Sequence, residues 1–202
     1  MAKPAWLTTT PSSGSGNGTI SNSATAHTGR VARTGTVTVQ GSGIATPATY
    51  TVTQEPKSEF VSFDDGASMA IDKAGGTITI TGKTNSSKLT FSWVGTVTDV
   101  TLPSTYTANG ASATSGSAIS GDPGASSEFA FSIDLVVPQN DTVDSIIRVL
   151  KVTANGSQYA QISTEQAAGD PTLSVSPASI TIPQAGTAVS VTVTSNTSWT
   201  VS

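Results

Sequence analysis

An all-β chain made of small β-sandwich domains is what this sequence predicts, on three observations. Val, Ile and Thr alternate in runs such as RTGTVTVQ and GGTITITG, the period of a strand with one apolar face. Gly, Pro, Ser and Asn-Gly clusters interrupt those runs at short intervals, as turns between antiparallel strands do. Charged residues are only 11% of the 202, yet a hydrophobic fraction of 36% in ordered alternation suits two or three small cores better than a disordered chain.

The first strands fall between residues 5 and 55. Trp6 and Leu7 precede PSSGSGNG, a turn-rich loop containing Asn17-Gly18, and Thr19 to Ser21 read as a further short strand. RTGTVTVQ at 33 to 40 and ATYTVTQ at 48 to 54 flank the loop GSGIATP. That makes about four strands where a closed sandwich has about seven, so the stretch reads as part of a domain. Glu55-Pro56 ends it, because proline has no N–H for a ladder.

From Phe60 the pattern restarts with FVSF, MAIDKAGGTITITG, LTFSWVG and TVTDVTLP, and continues in EFAFSIDLVVP, SIIRVLKVTANG and QYAQISTEQ. SIIRVLKV reads as strand because Ile and Val crowd a helix. Thr107 to Ser127 reads as one long loop, and Asn155-Gly156 as a tight hairpin turn. AAGDP is a second linker. Beyond it, Leu173 and Val175, then Ile180 and Ile182, then Val189, Val191 and Val193 mark three strands. Asn196 to Ser202 read as a fourth carrying an inward-pointing Trp199. The domain reading is therefore 1–56, a partial domain; 57–168, a complete sandwich; and 169–202, half of another. An open half-sandwich exposes strand edges and an apolar face.

TLSVSPASITIPQAGTAVSVTVTSNTSWTVS resembles the first half of a BACON domain, an immunoglobulin-like module of Bacteroidetes. WLTTTPSSGSGNGT, GRVARTGTVTV and YTVTQ resemble its second half, but stand ahead of the first, so the halves are in reversed order. The middle region looks like a divergent complete copy through AGGTITI, LTFSWVG and YAQISTEQ, with the loop at 107 to 127 in place of the W-L and P-x-S-G-x-G element. The resemblance implies immunoglobulin-like β-sandwich domains, one complete in the middle and flanked by partial ones.

It also implies two lines of function. Such modules occur in virion proteins of crAss-like and other Bacteroides phages, and MAKPAWL followed by AHTGRVARTG looks like the start of such head proteins. On this line the chain is a non-enzymatic capsid decoration or head-fibre component on the capsid surface. It is assembled in the host cytoplasm, oligomeric, and attached through its N-terminal segment to the major capsid protein or other virion subunits. The alternative is a carbohydrate-binding module for mucin glycans in a surface or secreted protein of a gut Bacteroidetes. The N-terminus carries no apolar stretch of the kind a secretory signal needs, which fits the first line.

The displaced halves single out Trp6 and Trp199 as partner contacts, each ring wanting cover that either the other half supplies, within one subunit or between neighbours, or further residues of a longer protein supply by completing the domain. His27, Arg30 and Arg33 form a small positive cluster, read either as a contact to an acidic neighbour or as a solvated loop. Tyr106, beside the long loop, is the candidate glycan platform, with a core or rim tyrosine as the plainer reading.

Little else carries chemistry. His27 is the only histidine and there is no cysteine, so multi-histidine and thiolate metal sites are excluded and at most one catalytic triad is open. Asp64-Asp65-Gly66, Asp141 and Asp144 lack EF-hand spacing. The Asn-x-Ser/Thr triplets at Asn17, Asn85, Asn140, Asn155 and Asn196 read as turn chemistry. No catalytic, cofactor or metal-binding residue is assigned. A net charge of -4 without a basic run argues against nucleic acid, and no stretch reaches the ~20 apolar residues of a membrane span.

Overall fold

The computed structural model describes residues 3–202, and apart from one 3-10 turn at Pro123–Ala125 its regular elements are all strands. β1 (Leu7–Thr10) pairs antiparallel with β2 (Ser21–Ala24), and β3 (Arg33–Val39) with β4 (Ala48–Gln54), setting Val37 opposite Tyr50. Each pair is a separate two-stranded sheet.

The middle of the chain supplies β5 (Val61–Phe63), β6 (Ser68–Ile71), β7 (Gly76–Thr84), β8 (Leu89–Val94), β9 (Thr105–Ala108) and β10 (Ala111–Thr114). β11 (Phe129–Val137), β12 (Ile146–Ala154) and β13 (Tyr159–Gln166) follow. They form two layers, a five-stranded sheet in the order β10-β9-β11-β7-β5 and a four-stranded sheet in the order β6-β13-β12-β8. The opening strand is divided between the layers: β5 runs antiparallel to β7, while β6 crosses over and runs parallel to β13. With β7 against β11 on one side and β8 against β12 on the other, this is an immunoglobulin-like β-sandwich.

Alternation explains the core. Phe129, Phe131, Ile133, Leu135 and Val137 all point inward from β11 and are buried, with polar or small residues between most of them. Phe131 meets Phe63 and Phe91 edge-to-face, at ring-centre separations of 6.0 and 5.9 Å. Gly82 breaks the TITIT alternation because a Cβ there would strike the Phe131 ring and the Ser62 carbonyl. Arg148 is also inside, its Nε donating to Asp99 and its Nη2 to Asp99 and to Gln166 Oε1.

Two sequence expectations for this region need correction. The stretch 107 to 127 is not one loop, since β9 and β10 make a hairpin that turns at Asn109-Gly110, both with positive φ. TVTDVTLP is a connection without a strand; Val97, Val100 and Leu102 pack onto the core and Trp93 Nε1 donates to the Val100 carbonyl at 3.0 Å, so the apolar residues are satisfied without a ladder.

Past the sandwich, β14 (Leu173–Ser176) pairs antiparallel with β15 (Thr192–Ser195) as another separate two-stranded sheet. The strands expected around Ile180 and Ile182, at Val189, and from Asn196 to Ser202 are not formed. Among the described residues no neighbouring strand offers them hydrogen bonds, and alternation alone does not hold a strand in water.

Candidate functional site

The sequence-marked residues near the N-terminus converge on a joint between the first four strands and the sandwich. Thr28 to Val31 follow β2 and lie across the connection around the 3-10 turn: Arg30 N–H donates to the Gly124 carbonyl at 2.9 Å and Val31 N–H to the Ala125 carbonyl at 3.1 Å. A Cβ on Gly29 would collide with the Ala125 and Ser126 backbone, which is why ATAHTGR has a glycine there. Arg30 then reaches into the sandwich. Its Nη1 donates to the Asn85 carbonyl at 3.0 Å and to Asp122 Oδ1 at 2.7 Å, while Nη2 binds Asp122 Oδ2. This two-pronged bond to Asp122 raises the Arg30 pKa above its ordinary value.

Asn85 is the centre of the joint and is fully buried. Its Oδ1 accepts from Phe60 N–H at 3.0 Å, and its Nδ2 donates to the carbonyls of Thr28, Lys57 and Ser58 at 3.2 to 3.3 Å. One side chain thus ties together the loop after β2, the linker after β4 and the start of β5. Lys57 N–H donates to the Gly29 carbonyl at 2.9 Å, and Lys57 Nζ pairs with Glu128 at 2.9 Å.

Of the expected partner contacts, Arg30 is therefore committed inside the molecule. Arg33 is committed as well: Nε donates to Gln54 Oε1 at 2.9 Å, Nη2 to the Thr25 carbonyl at 2.8 Å, and its guanidinium lies 4.7 Å above the Trp6 ring centre. Trp6 is half-buried against Gly35, where a Cβ would crowd both the Trp6 and Pro4 rings. His27 Nε2 sits 2.7 Å from the Val31 carbonyl, so that nitrogen carries the proton and donates, leaving Nδ1 buried without a partner. Trp199 is not brought to this cluster. It follows β15 outside any strand and is 50% exposed.

Tyr106 requires a correction. It is 5% exposed and packs edge-to-face on Phe91 at 5.0 Å, so its ring offers no platform to a sugar. Burial pushes its phenol pKa up, and the hydroxyl lies near the Leu89 backbone without a hydrogen bond of normal geometry. Its inward direction follows from β9, where Tyr106 and Ala108 share the core face.

Asn85 and its counterpart were missed as functional residues by sequence reasoning. On the far side of the sandwich, Asn196 repeats the arrangement. Its Oδ1 accepts from Thr172 N–H at 2.8 Å, and its Nδ2 donates to the Asp141 carbonyl at 2.8 Å and the Asp170 carbonyl at 2.9 Å. The correspondence continues through neighbouring atoms. Thr84 Oγ1 donates to the Phe60 carbonyl at 2.7 Å and Ser195 Oγ to the Thr172 carbonyl at 2.8 Å. Lys57 N–H meets the Gly29 carbonyl, and Gly169 N–H meets the Thr142 carbonyl at 2.7 Å. Val61 faces Thr84 in register, and Leu173 faces Ser195. The signal was present in TNSS and SNTS, the same Asn-Ser/Thr-Ser triplet closing a strand at Thr84 and at Ser195.

The second joint leaves a cleft of about 480 Å³ lined by Lys73, Asn140, Asp141, Asp170, Thr194 and Asn196, with Lys73 paired to Asp170. Among the described residues there is no group of three or more His, Cys, Asp or Glu side chains placed to hold a metal ion, and no helix is long and apolar enough to cross a membrane.

No protein-family model and no curated protein matches the chain. Solved structures similar to it include zebrafish RET cadherin-like domains 1 to 4, at 8% identity, TM-score 0.35, covering 70% of this chain and 34% of that one. Protocadherin gamma B7 extracellular cadherin domains 1-4 match at 13% identity and TM-score 0.36, covering 76% and 36%, and mouse clustered PcdhgC3 EC1-3 at 12% and 0.33, covering 72% and 45%. The chain spans less than half the length of each of these.

Proposed function

We propose that this chain is a non-enzymatic structural protein of a phage particle, a capsid decoration or head-fibre component that sits on the capsid surface and is assembled in the host cytoplasm. The observation that carries this reading is the first joint. Main-chain bonds at Arg30, Val31 and Lys57, the Arg30 pair with Asp122 and the buried Asn85 hold the N-terminal strands in one orientation on the sandwich. A foot fixed in that way transmits its attachment to the domain it carries, which is what an anchored surface subunit needs. The sequence resemblance supports the choice of particle, and the burial of Tyr106 takes the aromatic platform away from the glycan reading.

The test is co-sedimentation of the purified chain with capsids stripped of it, alongside a mucin-glycan array. Saturable binding to capsids, reduced by charge reversal on the exposed N-terminal surface at Lys3, supports the proposal. Glycan binding with no capsid binding overturns it.

A further inference from the structure

We further propose, independently of that reading, that copies of this chain join head to tail: β14, β15 and the segments flanking them in one copy complete the sandwich begun by β1 to β4 of the next. The repeated joint identifies what the C-terminal hairpin is. Thr172, Leu173, Ser195 and Asn196 make the bonds and pairings of Phe60, Val61, Thr84 and Asn85, so β14 and β15 stand where β5 and β7 stand at the opening of the complete domain. Trp199 lies three residues past its asparagine, near where Leu89, four past Asn85 and fully buried, begins β8.

The same joint identifies the N-terminal strands. Thr28 and Gly29 after β2 occupy the places of Asp141 and Thr142 after β11, and the linker residue Lys57 after β4 that of Gly169 after β13. β2, β3 and β4 are therefore counterparts of β11, β12 and β13. In the complete sandwich those three strands pair with β7, β8 and β6. Among the described residues the N-terminal strands have no such partners, and β1 to β4 pair among themselves in twos. Of these partners, the C-terminal set carries the counterpart of β7 in β15, and the segments flanking β14 and β15, unpaired among the described residues, are the ones left to take the places of β6 and β8.

Exposure agrees on both sides. Val61, Phe63 and Ile80 are at most 9% exposed in the complete domain, whereas Leu173 is 62%, Val175 54% and Val191 38% exposed. On the receiving side Val37 is buried, but Val39, two residues on and on the same face of β3, is 42% exposed. Each copy has one of each surface and the two sets form separate sheets within a copy, so the occupant that fits is a second copy, by strand addition. Unlike surfaces meeting head to tail generate open chains or rings of more than two copies.

The experiment is analytical ultracentrifugation of the full chain and of Val39→Glu and Val175→Glu, each at an exposed position so that the lone fold is preserved, with circular dichroism to confirm it. The wild type is expected to show mass rising with concentration in multiples of 20.2 kDa beyond the dimer. Each variant alone stays monomeric, and an equimolar mixture restores the one intact interface and stops at the dimer. A wild type that remains a single copy at high concentration, as it does if a continuing chain or another protein completes the hairpin, overturns the proposal. So does a mixture that stays monomeric or grows past the dimer. Capsid binding is scored separately, so either reading can fail alone.

Discussion

The strand pairs β5–β7 and β14–β15 follow one plan with opposite results. Both open with a hydroxyl bond from the end of the second strand to the residue before the first, and both are pinned by an asparagine. Yet Phe63 is 7% exposed and Val175, at the matching place, is 54% exposed. The local bonds correspond closely, so the main difference is the facing sheet, which the first pair has and the second lacks among the described residues. The geometry of a strand pair is set by near neighbours; burial, and with it most of the stability, is set by distant ones.

The sharpest way to break that comparison is to cut matching side chains. Phe131→Ala in the closed domain should cost about 3–5 kcal/mol in urea unfolding, since the ring is fully buried against Phe63 and Phe91. Val175→Ala in dilute protein should stay within about 0.5 kcal/mol, as exposed positions do. A large loss for Val175→Ala at low concentration would show that something already covers it.

Next in size are the two asparagines. Asn85→Ala leaves a buried N–H and three carbonyls without their partner and should lower stability by about 2–3 kcal/mol, whereas the half-exposed Asn196 can be replaced by water and should lose about 1 kcal/mol or less. Equal losses in denaturant titrations would contradict the contrast.

A smaller effect is expected at Arg30. Arg30→Lys keeps the charge but cannot make the two-pronged bond to Asp122, and should cost about 1 kcal/mol and speed proteolysis of the linker at 55 to 59 while leaving the 167 to 171 linker unchanged. Limited proteolysis read by mass spectrometry distinguishes the two.

The smallest is a pH effect within the closed domain. The hydrogen bonds from Arg148 hold the Asp99 carboxyl below its usual pKa, against the opposing pull of burial. A depressed folded pKa adds stability above the unfolded pKa, near 3.8, and loses it as pH falls through the folded one. Asp99 is 38% exposed on its side chain, so the step is modest. Asp99→Asn should flatten the acid limb of a stability profile below about pH 4 while the neutral limb merely drops.

The strands of the middle domain were legible because its apolar residues alternate and have a second sheet to pack against. β11 and β12 show this along their whole length. The same alternation misled at Ile180, Ile182 and Val189, where period two is present but ladder partners are not, because periodicity reports which face a strand would bury and not whether anything covers it. For Tyr106 the plainer reading of a core tyrosine holds; the glycan reading stayed open because the hairpin that turns at Asn109-Gly110 was read as part of one long loop. The cluster of Arg30, Arg33 and His27 was visible as charge, but its acidic neighbour Asp122 lies 92 residues away in sequence, and no local pattern joins the two. Asn85 and Asn196 were seen as two of five Asn-x-Ser/Thr triplets; what sequence could not supply was that their amides close on carbonyls of the preceding segment.

That last feature has an evolutionary reach. The joint is written almost wholly in main-chain atoms, asking of one module an asparagine and a strand-closing hydroxyl and of its predecessor only a carbonyl in the right place. Apart from the glycines that let the backbones approach and the Arg30 pair with Asp122 at the first joint, few side chains are fixed there. Gene duplication and recombination can then splice one such unit behind another with little redesign of the seam.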